Sequence, residues 1–129
     1  MVFCQILEKI GQAMKKLENH LIGIDQGDVV LFSDFEEGGE MWTGAGPRER
    51  RKAVRFGQPF RAAPAVQLSI SLLDADTQAA VRAELTAENV TAEGFEIVFR
   101  TWLDTRIARM RAAWLAIGAL EHDDNWVID

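Results

Sequence analysis

The stretch Gly94–Gly118, GFEIVFRTWLDTRIARMRAAWLAIG, decides the fold, and its two halves carry different patterns. Phe95, Ile97 and Phe99 alternate with Glu96, Val98 and Arg100, the period of two that turns one side of a strand toward a core. After Trp102-Leu103-Asp104-Thr105, the residues Ile107, Met110, Trp114 and Ile117 recur at steps of three, four and three. That is the spacing of a helix face, in a run of alanine and arginine that favours helix. Periodicity alone leaves strand and helix both open for the second half.

Working outward, the chain beyond Gly27 reads as short alternating runs separated by turn residues, the mark of an antiparallel β-domain. Residues 29–33, 52–56, 65–73, 81–89 and 95–102 are expected strands. In the third, Val66, Leu68, Ile70 and Leu72 point one way and Gln67, Ser69 and Ser71 the other. In the fourth, Val81, Ala83, Leu85 and Ala87 alternate with Arg82, Glu84, Thr86 and Glu88. GGEMWTGAGP, residues 38–47, is a glycine-rich loop, and LLDADTQAA and NVTAEG supply later turns.

Before that domain, Phe3, Leu7, Ile10, Met14, Leu17, Leu21 and Ile24 are spaced four and three alternately, a heptad seam. An N-terminal α-helix over residues 1–26 is expected, with Gly23 and Gly27 marking its stop. A seam this narrow suits a coiled-coil stem more than a helix lying on its own domain, and the heptad leaves the number of strands open. Residues 27–121 form the β-domain. The last segment, 122–129, is an acidic tail.

A length of 129 residues suffices for one core without metal or disulfide staples. At 48% hydrophobic and 26% charged the composition is globular, and a net charge of -6 argues against a general nucleic-acid binder. A lone cysteine, Cys4, closes no bridge within the chain. No run approaches the length of a membrane span, and Glu8 and Lys9 interrupt the apolar run a signal peptide needs. The compartment therefore stays open, release or display on a particle included.

The segments VRFGQPFRAAPAVQLSISLLD, VRAELTAENVTAEGFEIVFRTWLDT and MRAAWLAIG together resemble the H-type lectin domain, the family of the snail agglutinins. The resemblance runs from about Gly27 to Leu120. It rests on the order and spacing of Val54 and Phe56, Pro59-Phe60, Pro64 and Val66, Leu73-Asp74, Asn89-Val90-Thr91, Gly94-Phe95, Thr101-Trp102 and Trp114. It implies an all-β, six-stranded antiparallel β-sandwich that assembles as a homotrimer and binds glycans, typically N-acetylgalactosamine, in clefts between protomers. It also implies a final strand over RIARMRAAWLAI, with Met110, Ala112 and Trp114 inward and Arg109 and Arg111 outward.

A sugar offers hydroxyls to charged partners and an apolar face to an aromatic ring. Trp102 falls outside the core phase at the mouth of a turn, where the family carries a sugar-contacting tryptophan. Arg82 matches the family's sugar-binding arginine, whose fixed donors bridge two hydroxyls. Asp104 is a candidate acceptor beside them. At three positions the chain departs from the family: Leu103 stands where a histidine follows the tryptophan, Ala80 where an asparagine precedes the arginine, and Ala45 where a loop aspartate accepts from the sugar. Glu40 or Glu49 could replace that aspartate. Arg48, Arg50, Arg51 and Arg55, with Arg100, Arg106, Arg109 and Arg111 around the Thr-Trp turn, suggest an acidic or sulfated polysaccharide, although salt bridges between protomers would use the same residues.

Catalytic chemistry is not expected. His20 and His122 are the only histidines, and no nucleophile-base pairing can be assembled from them. DADTQ and EHDD lack the spacing of calcium or zinc sites, GAGPRE lacks the lysine of a phosphate cradle, and NVT is a glycosylation sequon only in a secretory pathway. No cofactor is implied. The sequence thus points to a non-enzymatic lectin serving adhesion to a glycan surface. Its rival is a structural module of a trimeric fibre or phage-like particle that kept the fold and lost the sugar.

Overall fold

In the computed structural model, residues 14–18 and 21–121 are described. Six strands follow in order: β1 Ile22–Phe32, β2 Arg48–Arg55, β3 Ala65–Ala75, β4 Glu84–Glu88, β5 Gly94–Thr101 and β6 Ile107–Ala119. Between β1 and β2 lie two single-turn helices, α1 Asp34–Glu37 and α2 Glu40–Thr43. The strands form two antiparallel three-stranded sheets, ordered β1-β6-β3 and β2-β5-β4, with β6 and β5 central. No helix among the described residues is long and apolar enough to cross a membrane.

The second half of the opening stretch is strand β6. Twelve of its thirteen residues, all but Ala108, lie in a ladder, with Ile22 to Phe32 paired on one side and Ala65 to Ala75 on the other. Two flanking strands satisfy the backbone groups, and that pairing overrides the helical leaning of alanine and arginine. Met110, Ala112 and Ala116 are buried with Trp114 partly so, while Arg109 is exposed. The odd step from Ile107 to Met110 would put these two on opposite faces of an unbroken strand. The ladder skips a residue there, with Arg109 opposite Asp74 and Ile107 opposite Ala75, so both side chains are fully buried.

Between the sheets, Phe56, Phe60, Phe95, Ile97, Ala112 and Ala116 form one buried cluster, and Phe32, Met41, Phe99, Ile107 and Met110 another. The small side chains of β6 leave room for the rings. Phe95 and Phe56 approach Trp114 at 5.6 and 5.9 Å between centroids. Close approach also fixes Gly27, where a Cβ would fall 2.6 Å from Trp114 Nε1.

The expected N-terminal helix needs correction. Residues 1–13, 19 and 20 lie outside the described residues, as does the acidic tail, 122–129. Residues 14–18 have no regular secondary structure, and Ile22 to Gln26 belong to β1, paired with Leu115 to Ala119. Ile24, counted in the heptad seam, is an exposed position on the outside of the sheet. A ladder against β6 outweighs a helix that Gly23 and Gly27 would weaken in any case. Other strands also differ in extent or phase, and β2, expected over 52–56, runs from Arg48 to Arg55. The fourth begins at Glu84, so residues 81–83 are loop, and Ile70 is 40% exposed because an extra residue, Ser71, interrupts the pairing after it.

Candidate functional site

One end of the sandwich collects the β1–β2 loop with its two short helices, the segment leading into β4, and the β5–β6 turn. Arg48, the first residue of β2, ties them together. It is 6% exposed, and its guanidinium donates to Gly46 O at 2.9 Å, Leu103 O at 3.1 Å, Glu40 O at 3.2 Å and Met41 O at 3.4 Å. Gly46 N–H also donates to Leu103 O, at 2.8 Å. A second anchor is the Arg50–Asp34 pair, with two bonds of 2.9 and 2.8 Å. Asp34, 2% exposed, also accepts Met41 N–H. Gly46, at φ 77°, supplies the left-handed backbone that the turn into β2 requires.

Arg82 lies in the loop before β4 and not on a strand face as the alternation suggests. The fully or nearly buried threonines of the β5–β6 turn hold it. Thr101 Oγ1 donates to Arg82 O, Arg82 N–H donates to Thr105 Oγ1, and Thr105 Oγ1 donates to Ala80 O at 2.7 Å. Its Nη1 donates to Asp104 Oδ1 at 2.6 Å, and this bond holds the Asp104 carboxyl below the usual aspartate range. The pair is solvent-facing, with Asp104 71% exposed.

Three of the four expected residues therefore meet. Arg82, Leu103 and Asp104 line one hollow of about 560 Å³ with Ala45 and Gly46. Trp102 does not share it. Trp102, 40% exposed, lines a separate hollow of about 300 Å³ with Pro47, Arg48, Glu49, Arg100 and Thr101. Of the suggested substitutes for the loop aspartate, Glu49 is spent on Arg51 and Arg100, which hold its carboxyl below the ordinary range. Glu40 gives its carbonyl to Arg48.

Most of the other arginines are occupied too. On the outer face of the β2-β5-β4 sheet, Arg51 bridges Glu49, Glu88 and Glu96, while Arg100 bridges Glu49, Glu84 and Glu88. Two guanidiniums among four carboxylates leave that network negative. Arg106 lies over the Trp42 ring at 4.5 Å and pairs with Asp76, Arg109 pairs with Asp74, and Arg111 with Asp28. The basic cluster that suggested an anionic polysaccharide is thus largely satisfied within the protomer, and this is its structural explanation. Arg48, Thr101 and Thr105 were missed as site-builders. The signal was available for Arg48: the inward phase of β2 reads Arg48, Arg50, Lys52, Val54, and basic residues on a core phase demand buried acceptors.

At the opposite end, a hollow of about 240 Å³ is lined by Gly23, Ile24, Asp25, Gly57, Gln58, Phe60 and Leu120. Its carboxylate, Asp25, already accepts Gly57 N–H at 2.9 Å. No group of metal-ligating side chains occurs among the described residues.

Comparison with known proteins agrees with the fold. The profile of the H-type lectin domain matches residues 51–117. A Fuscovulum blasticum protein named ATP synthase subunits region ORF 7 is 53% identical over 108 residues, covering 84% of this chain and 94% of that protein. Discoidin-1 of Dictyostelium discoideum is 33% identical over 75 residues, which span 57% of this chain and 30% of that one. Two structures of discoidin II from the same organism superpose with TM-scores of 0.68 and 0.69 at 24% identity. They cover 82% and 83% of this chain and 40% of theirs, a likeness of fold.

Proposed function

Because this chain belongs to the H-type lectin domain family, we propose that it is a non-enzymatic glycan-binding protein whose sugar docks at the loop end of the sandwich, on Arg82, Asp104, Leu103 and Trp102. The observation that carries this reading is the Arg82–Asp104 pair. A 2.6 Å ion pair held in the open by two buried threonines presents donor and acceptor side by side, as adjacent sugar hydroxyls require.

Trp102 and Arg82 line separate hollows of one protomer, so a ligand that uses both needs a second copy. We infer a homotrimer in which the indole of one protomer closes on the Arg82 hollow of the next. Support comes from the outer face of the β1-β6-β3 sheet. Its central strand turns Ala113, Leu115 and Ile117 outward, flanked by Ile22 and Ile24, which are 38% and 68% exposed. An aliphatic sheet face of this kind is costly to leave in water and suits packing about a symmetry axis. Three clustered sites would raise weak sugar affinity to useful avidity.

A structural module that has lost sugar binding is the second reading, favoured by Ala45, Ala80 and Leu103 where the family carries polar groups. A glycan array with wild type and Trp102→Ala decides between them. The lectin reading expects a specific glycan signal that Trp102→Ala abolishes while light scattering still gives a trimer. Absence of any glycan signal from wild type would support the structural module.

A further inference from the structure

The lectin reading leaves the sugar unspecified, and the chemistry of the Arg82 hollow narrows it. Its polar side chains are Arg82 and Asp104. Arg82 makes its contacts through Nη1, to Asp104, Ala80 O and Thr105, which leaves Nη2 and Nε without a partner among the described residues. The rest of the lining is Ala45, Gly46 and Leu103, the last 59% exposed. Two of the backbone acceptors there are consumed. Leu103 O accepts both Arg48 and Gly46 N–H, and Gly46 O accepts Arg48.

Leu103 also sits at φ 59°, in the left-handed region where asparagine or glycine is the economical choice. An exposed leucine in that conformation gains nothing from the core. It presents a branched apolar group to the hollow.

We propose that this hollow takes a 6-deoxyhexose. Two adjacent ring hydroxyls would bridge Asp104 and the free Arg82 donors, and the C5 methyl would rest on Leu103 and Ala45. A hexose in the same pose would press its C6 hydroxyl against a wall without a partner, which costs affinity. The volume of about 560 Å³ is ample for one ring and leaves solvent access for a glycan chain.

The test rests on the lectin reading and separates its failure from that of the proposal. Isothermal titration of the whole protein with D-fucose and D-galactose, which differ only in the C6 hydroxyl, should show the 6-deoxy sugar bound about fivefold tighter, the worth of one methyl-sized contact in a half-open apolar site. The same pair of L-rhamnose and L-mannose covers the other ring configuration. Leu103→Asn, which suits the φ, should keep the fold and reduce the preference to less than about twofold. Binding of the hexoses as tightly as their 6-deoxy partners overturns the proposal while leaving the lectin reading in place, as does an undiminished preference in Leu103→Asn. A preference for N-acetylgalactosamine over galactose without one for D-fucose also overturns it. Failure of every sugar to bind overturns both.

Discussion

Replacing Arg48 with methionine removes the clamp that joins the two loops of the site while keeping the aliphatic stem. Three of its bonds are 3.2 Å or shorter, to Gly46, Leu103 and Glu40, and the fourth, to Met41, is marginal at 3.4 Å. Each of the three short bonds is charge-assisted and would leave a carbonyl short of a partner, but these loops lie near water and rehydrate in part. At about 1 kcal/mol net per bond the loss comes to about 3 kcal/mol. For a domain of this size that shifts Tm by roughly 12–24 °C. Arg48→Lys, which keeps the charge but reaches fewer carbonyls, should recover roughly a third of it. Calorimetric unfolding of wild type and both variants measures this directly. If Arg48→Met unfolds within about 0.5 kcal/mol of wild type, the clamp is a bystander and the account of how the site is built is wrong.

Asp34→Asn should also destabilise, by about 2 kcal/mol, because it strands the Arg50 guanidinium. That value is less than for a fully buried pair, since Arg50 is 31% exposed and keeps some water. Urea unfolding reads the difference. Stability should further fall with acid. Glu49, Glu88 and Asp104 all have their pKa lowered by arginine bonds, so the unfolded chain binds protons more readily than the native one. The stabilisation is complete above the ordinary values of 4.5 for glutamate and 3.8 for aspartate, and is lost as pH falls through the lower folded ones. A Tm-against-pH profile should therefore be flatter in this range for Arg100→Gln, which removes a partner of both glutamates.

The legible parts of the fold are those where side-chain alternation meets an unbroken ladder. Phe95, Ile97 and Phe99 mark the inner phase of β5, and all three are buried. In β6 the same logic is obscured. Alanines fit both helix and strand, and the skipped residue between Ile107 and Arg109 turns an odd spacing into a one-sided one. Only the family resemblance resolves it. The heptad seam misleads for a related reason, since Leu21 and Ile24 satisfy a helical count yet Ile24 lies opposite Ile117 in a sheet. At the site, Arg82 and Asp104 are legible as residues but not as a pair, because their meeting depends on two loops that the buried threonines bring together. Arg48 reads as surface charge within the arginine cluster, although its position on the inward phase of β2 already requires buried acceptors.

Arg48 also explains how side chains at the loop end can vary without loss of the fold. Its donors grip main-chain carbonyls, as does Gly46 N–H, so the path of the backbone at 45–47 and 103 does not depend on which side chains project from it. Side chains at 45 and 103 can then change while the hollow they line keeps its backbone frame. Arg82 is bound to a different support, the Thr101 and Thr105 hydroxyls, and its guanidinium holds Asp104 in turn. The two parts of the hollow are in this way held by separate sets of hydrogen bonds, one to backbone carbonyls and one through buried hydroxyls. Substitutions at 45 and 103 should therefore alter which sugar is preferred far more than whether the protein folds.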